Sequence, residues 1–197
     1  MFTSQNIIIK NIISLKRRKL RLNIIVLDKN FLIVSEFAKK HDIAFFIIDN
    51  IKLAKQLKAR GIFLTNKNKI LRSNIKEATK LEVIGSAHNQ REYYIKQKQN
   101  CSTVMLSPIF YNKKYSPNKI LYVPRFNLIT LNWKTRIAAL GGINFKNLKL
   151  VNLTKSKCIG IKSLITNWTK KNPPIIKWVG FLIRTLTKLY IEIRIFL

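Results

Sequence analysis

The sequence predicts an α/β fold, a (β/α)8 barrel of parallel strands whose N-terminal part is shortened or irregular. Three observations lead there. From residue 43 to residue 161, apolar runs of strand length alternate with segments of helical spacing, the pattern of βαβ units. The alternation repeats without a long break, which fits a closed barrel better than an open doubly wound sheet. The chain has 197 residues, 47% of them hydrophobic, enough for one domain with a substantial core. Residues 1–172 are read as that single domain and 173–197 as a basic, apolar tail.

Taken in order, residues 6–13 read as a buried strand interrupted by Lys10, with no secretory signal pattern around them. Lys16-Arg17-Arg18-Lys19 is the one dense basic cluster, a solvated helix face or a linker, and residues 23–27 form another candidate strand. Phe31, Val34, Phe37 and Ala38 have helical spacing up to Lys39-Lys40. Residues 43–48 make a strand, and Asp49-Asn50 caps a helix carrying Ile51, Ala54 and Leu57 on one face, with Gly61 closing it. A strand at 62–64, a polar loop at 65–69, a helix at 73–80 and a strand at 81–85 follow. Residues 86–89 read as a loop and cap, 90–99 as a helix, and 101–106 as a strand running into Ser107-Pro108. A polar loop holding Tyr111, Lys113, Lys114 and Tyr115 leads to a helical pattern around 126–131.

Ile137 to Ile143 is an apolar run broken by Gly141-Gly142, and Asn144 is placed to cap a helix over 145–153. Two glycines let the backbone turn sharply and leave its N–H groups uncovered, so the turn suits a phosphate as well as it suits an ordinary chain reversal. A strand at 157–161 runs directly into Lys162-Ser163. Pro173-Pro174 ends the preceding helix, and the tail from 175 reads as a helix covering the barrel or lying at a membrane interface. Its longest uncharged run, 178–183, is far too short to span a bilayer.

Charge narrows the function classes. The formal net charge is +30, from 38 Lys+Arg against 8 Asp+Glu. Either a polyanionic partner or an AT-biased coding sequence, rich in Lys, Asn and Ile, accounts for it. The even spread of the cations favours the second, and no specific nucleic-acid partner is expected. Nothing acidic lies between Glu92 and Glu192, so carboxylate chemistry must draw on the first half of the chain. Cys101, Cys158, His41 and His88 have no zinc-site spacing. In a barrel, function lies on the loops after the strands. Those loops hold Asp49, Asn66, Asn68, Ser86, His88, Ser107, Lys113, Lys114, Gly141, Gly142, Lys162 and Ser163, a basic, glycine-bearing mix suited to a phosphorylated ligand. Ser86 and His88 serve equally as an N-cap pair or as ligand-binding residues, and His88 has no acidic partner in sequence reach.

The succession Ile84-Gly85-Ser86-Ala87-His88, Leu106-Ser107-Pro108-Ile109-Phe110, Ala139-Leu140-Gly141-Gly142-Ile143 with Asn147, and Gly160 to Ile165 resembles the thiamine phosphate synthase family. It is most similar to a divergent bacterial branch of that family, whose thiazole tautomerase-like members are close relatives. The resemblance is best over residues 43–166. It implies a cytoplasmic transferase that joins an aminopyrimidine diphosphate to a thiazole phosphate with Mg²⁺, releasing diphosphate and giving thiamine phosphate. By position, Gly141, Gly142, Lys162 and Ser163 would bind the thiazole phosphate. Ser86, Lys113 and Lys114 would act on the diphosphate, Lys10 would bind it, and Asp49 would be the metal ligand. The pattern departs from the family at Asn68, where a second metal aspartate is expected, at Asn66, where a glutamine is, and at Ile8 and Ile48. Pro108 stands where the related tautomerases carry a histidine.

Overall fold

A computed structural model describes residues 21–26, 31–71, 80–144, 146–161 and 189–194, with backbone alone at 21, 22, 161 and 189–194. The expected strand at 6–13 with Lys10, the basic cluster at 16–19, the body of the helix expected at 73–80, the Lys162-Ser163 loop and most of the tail lie outside the described residues.

Seven parallel strands follow one another in sequence: β1 (Arg21–Val26), β2 (Ala44–Ile48), β3 (Gly61–Leu64), β4 (Glu82–Ala87), β5 (Thr103–Leu106), β6 (Arg136–Leu140) and β7 (Cys158–Ile161). Five described helices connect them: α1 (Phe31–Lys40), α2 (Ile51–Gln56), α3 (Gln90–Lys98), α4 (Tyr122–Ile129) and the short α5 (Leu148–Val151). The seven strands form a curled sheet. An eighth strand, β8 (Leu189–Arg194), pairs antiparallel with both β7 and β1, so the ladder of pairings runs in a ring.

This corrects two expectations. The regular barrel of eight parallel strands is not what the described residues form, because β8 runs against its neighbours. Antiparallel pairing satisfies the two edges of the sheet at least as well as parallel pairing does. The helix expected in the tail is also replaced by strand over Leu189–Arg194. There Ile191 and Ile193 alternate with Glu192 and Arg194, a period of two in β-branched residues.

The strands read as continuous apolar runs because both faces are covered. One set faces inward: Ile25, Phe46, Phe63, Ile84, Met105, Ala138 and Cys158, one from each parallel strand. Small Ala138 and Cys158 offset Phe46 and Phe63, which lets side chains fill the interior. The alternate set, including Ile24, Ile47, Ile62, Val83, Val104 and Ile137, packs against the helices in the larger cluster. Alternation then fixes the upper rim. Ile48, Ser86, Ser107 and Leu140 each stand two residues beyond an inward-facing residue and so share its side.

Element boundaries show where local signals worked. Asn50 caps α2 by accepting from Leu53 N at 2.9 Å, and Asn89 caps α3 by accepting from Glu92 N at 2.9 Å. Gly61 does not close α2; it is the first residue of β3, and a Cβ there would strike the Glu82 carbonyl. Lys58 at φ +52° ends the helix instead. Ser86 and Ala87 belong to β4 rather than to a loop. Asn144 does not cap a helix at 145: its side chain accepts from Lys146 N and Asn147 N in a local turn, and α5 starts only at Leu148.

Candidate functional site

The carboxyl ends of the parallel strands carry three groups of polar residues. The first is built on Asp49, the residue after β2. Its backbone is held at φ +45°, with Asp49 N donating to Phe63 O at 3.0 Å. Its carboxylate is held by the loop after β3. Thr65 N and Asn68 Nδ2 donate to Oδ1 at 3.2 and 2.8 Å, and Thr65 Oγ1 donates to Oδ2 at 2.7 Å. A carboxylate offers about four acceptor positions, so Oδ2 retains one. Asp49, Lys52, Leu64, Asn68 and Ile70 line an open cleft of about 230 Å³ at this point.

Beneath that loop lies Lys96 of α3, fully buried. Its Nζ donates to Thr65 O at 2.6 Å, Asn68 O at 2.7 Å and Gln99 Oε1 at 2.8 Å. These three acceptors match the three donors of an ammonium group. Gln99 Nε2 in turn donates to Asn68 O at 3.1 Å and Ile70 O at 3.0 Å. Burial lowers the Lys96 pKa, while Cys101, Asp49 and Glu92 act to raise it. The complete set of acceptors is what makes a buried charge tolerable here.

The second group joins β4 to β5. Ser86 is buried on the inner side of the β4 end. His88 follows, with its backbone N donating to Glu92 Oε2 at 2.8 Å and its ring Nδ1 2.7 Å from Ser107 O. A carbonyl only accepts, so Nδ1 donates in this contact. Ser107 Oγ lies 3.1 Å from the same Nδ1. The Tyr115 ring packs on His88 at 5.7 Å between centroids, and Lys114 Nζ stands 5.9 Å over the Tyr115 ring. Lys113 and Lys114 are exposed, and the Tyr115 contact anchors their loop beside the β4 end.

The third group is the turn after β6. Gly141 and Gly142 take φ +92° and +72°. Side-chain-free backbone is required here. A Cβ on Gly141 would come 3.0 Å from Pro108 Cα, and one on Gly142 would run into the Phe110 carbonyl. Phe110 N donates to Gly141 O at 3.1 Å, and Asn147 Nδ2 donates to Gly142 O at 2.9 Å, so the turn is fixed from both sides.

Of the residues singled out in the sequence, Asp49, Ser86, Lys113, Lys114, Gly141 and Gly142 all fall at the carboxyl ends of strands, while Lys10, Lys162 and Ser163 lie outside the described residues. Sequence reasoning missed Thr65, Lys96 and Gln99. A lysine in a polar helix reads as solvated. The available signal was Gly85 in the adjoining strand, which leaves room for the lysine stem.

The fold and these three groups define an α/β protein with a curled parallel sheet, its polar side chains and the tight Gly141-Gly142 turn gathered at the carboxyl ends of the strands. The comparisons agree with the resemblance. A family model described as thiamine monophosphate synthase matches residues 18–165, and the chain belongs to that family. The thiamine-phosphate synthase of Flavobacterium psychrophilum is 29% identical over 153 residues, covering 71% of this chain and 70% of its own length. The thiamine-phosphate synthase of Prochlorococcus marinus is 28% identical over 130 residues, which is 66% of this chain but only 36% of that protein. In fold, the chain is similar to a thiamine phosphate pyrophosphorylase from Pyrococcus furiosus, with a TM-score of 0.52, 20% identity, and coverage of 62% of this chain and 59% of that one.

Proposed function

We infer that the chain is a thiamine phosphate synthase-like transferase, condensing a hydroxymethylpyrimidine diphosphate with a thiazole phosphate and releasing diphosphate. One observation carries this reading. In a chain of that family, the held carboxylate of Asp49 and the Gly141-Gly142 turn both stand at carboxyl ends of the parallel strands. The seven parallel strands supply most of a (β/α)8 barrel, with β8 taking the place of its eighth member.

The reaction breaks a C–O bond to diphosphate and forms a C–N bond to the thiazole, so it asks mainly for stabilisation of the leaving group's charge. Mg²⁺ fits the donor set as an ion held by one protein carboxylate and by substrate phosphates, a common arrangement for this ion. Asp49 Oδ2 would hold it, and the ion would supply neutralisation of the diphosphate charge. Lys52, Lys113 and Lys114 add cations at the same end, and Ser86 offers a hydroxyl. Gly141 and Gly142, with Lys162 and Ser163, would bind the thiazole phosphate, and Lys10 would bind the diphosphate. A cytoplasmic setting suits these substrates. No helix among the described residues is long and apolar enough to cross a membrane.

A specific observation favours a second reading, a phosphate-binding homologue without turnover. Asn68 presents an amide donor to Asp49 where the family has a second carboxylate. The test is a thiamine phosphate assay with both substrates and Mg²⁺, on the wild type and on Asp49→Ala. Product that is lost in Asp49→Ala supports the transferase. No product, with thiazole phosphate still raising the melting temperature, supports the second reading. Neither product nor stabilisation overturns both.

A further inference from the structure

We propose that Lys96 is a positioning residue for the diphosphate end of the site, its buried ammonium fixing the loop that aims the Asp49 carboxylate. The inference rests on the transferase reading for the role of Asp49. It deepens that reading by naming a residue that touches neither substrate nor metal.

The geometry is a short relay. Lys96 Nζ holds the carbonyls of Thr65 and Asn68. The same two residues supply every hydrogen bond described for the Asp49 carboxylate. Moving either carbonyl therefore moves a donor on Asp49. Gln99 reinforces the arrangement, bridging Lys96 Nζ to the carbonyls of Asn68 and Ile70. A loop of mostly half-buried and exposed residues is thus fastened from beneath by a charge-assisted network, the stronger class of hydrogen bond. Among the described residues Asp49 is the only carboxylate lining this cleft, and no group of three or more His, Cys, Asp or Glu side chains could hold a metal. The orientation of Asp49 consequently matters more than it would in a site with redundant ligands. Supporting residues behind a metal ligand affect metal affinity by about 10–100-fold.

The experiment uses the full chain with Lys96→Met, which keeps the aliphatic stem and removes the charge, and Thr65→Val, which removes only the hydroxyl held by Asp49. For each protein, KM is measured for both substrates, with the Mg²⁺ concentration giving half-maximal rate. The melting-temperature rise caused by Mg²⁺ with inorganic diphosphate is measured separately. The expected result is a rise of about tenfold or more in KM for the pyrimidine diphosphate and in the Mg²⁺ requirement. KM for the thiazole phosphate should stay within about twofold. Unchanged values for both substrates, or equal changes in both, would show that Lys96 only stabilises the fold and would overturn the proposal. If Lys96→Met does not fold, Thr65→Val decides alone: an unchanged diphosphate KM overturns the proposal. If the wild type makes no thiamine phosphate, the thermal shift decides. Stabilisation of the wild type by Mg²⁺-diphosphate that is lost in the variants keeps the inference while the transferase reading fails. No stabilisation of the wild type overturns the inference as well.

Discussion

Gly85 and Lys96 occupy one another's space: a Cβ built on Gly85 would stand 2.7 Å from Lys96 Cδ and 2.9 Å from Cys101 Sγ. The absent side chain in β4 is what lets the lysine stem pass under the loop after β3. Gly85→Ala should therefore destabilise the protein by about 1–3 kcal/mol, the usual range for overpacking. Because the crowded atoms belong largely to Lys96, a double-mutant cycle with Lys96→Ala should show coupling of at least about 0.5 kcal/mol. Urea denaturation of the four proteins measures it. Additive effects would mean that the stem moves aside and that the two residues are not structurally linked.

The two glycines after β6 should not be equally tolerant. Gly142 combines φ +72° with a backbone carbonyl in the space a side chain would need, whereas Gly141 at φ +92° meets Pro108 at 3.0 Å. Gly142→Ala is expected to lose about 2 kcal/mol or more, since strain and a clash with backbone add. Gly141→Ala should lose less. Thermal denaturation of the pair gives the order, and a reversed order would contradict the turn as described.

Asn68→Asp would replace the 2.8 Å amide-to-carboxylate bond on Asp49 with two facing carboxylates. Repulsion should lower the melting temperature in chelator, and added Mg²⁺ should restore it, because two carboxylates then share one cation. The same titration on the wild type should give a smaller Mg²⁺ shift. A variant indifferent to Mg²⁺ would show that residue 68 is not at a cation site.

The fold was legible wherever one local rule sufficed. Apolar runs marked β2 to β7, and the asparagine caps at 50 and 89 placed α2 and α3 correctly. Asp49, Ser86 and the Gly141-Gly142 turn could be assigned to strand ends because strand ends were visible. What failed depended on partners distant in sequence. Leu189–Arg194 becomes strand because two sheet edges are there to receive it. Lys96 is buried because carbonyls about 30 residues earlier accept its protons. Gly61, read as a helix end, is required instead by the Glu82 backbone against it. No window of neighbouring residues contains these causes.

Cys101 predicts a pH dependence. Burial pushes its thiol from the ordinary value of 9.0 up to about 12, with Lys96 acting in the opposite direction. Between those pH values the folded protein keeps a proton that the unfolded chain has released. The group's contribution to stability is therefore complete below pH 9 and lost as pH rises towards 12. Relative to Cys101→Ala, the wild type should lose about 1.4 kcal/mol per pH unit above pH 9. Urea melts at pH 8, 9 and 10 would detect this, and parallel stability curves for the two proteins would refute it.

Three helices end in the same way and none uses glycine. Asp42, Lys58 and Asn100 take φ +48°, +52° and +54° after α1, α2 and α3. In each case the next residue's N–H reaches back to the helix: Ile43 N to Ala38 O, Ala59 N to Ala54 O, and Cys101 N to Lys96 O, at 2.8, 2.8 and 3.1 Å. This is the paired-bond ending that normally places glycine in the left-handed position. A side chain there costs about 1–2 kcal/mol for most residues and less for asparagine or aspartate. Glycine relieves that strain but adds freedom to the unfolded chain, which removes part of the gain. Lys58→Gly should thus stabilise the protein by about 0.5–1 kcal/mol, a rise of roughly 1–4 °C in Tm at this chain length. Asn100→Gly should gain less. Lys58→Ala, which removes the same charge but keeps a Cβ, should gain little, so a matching rise in that control would attribute the effect to charge rather than to backbone strain.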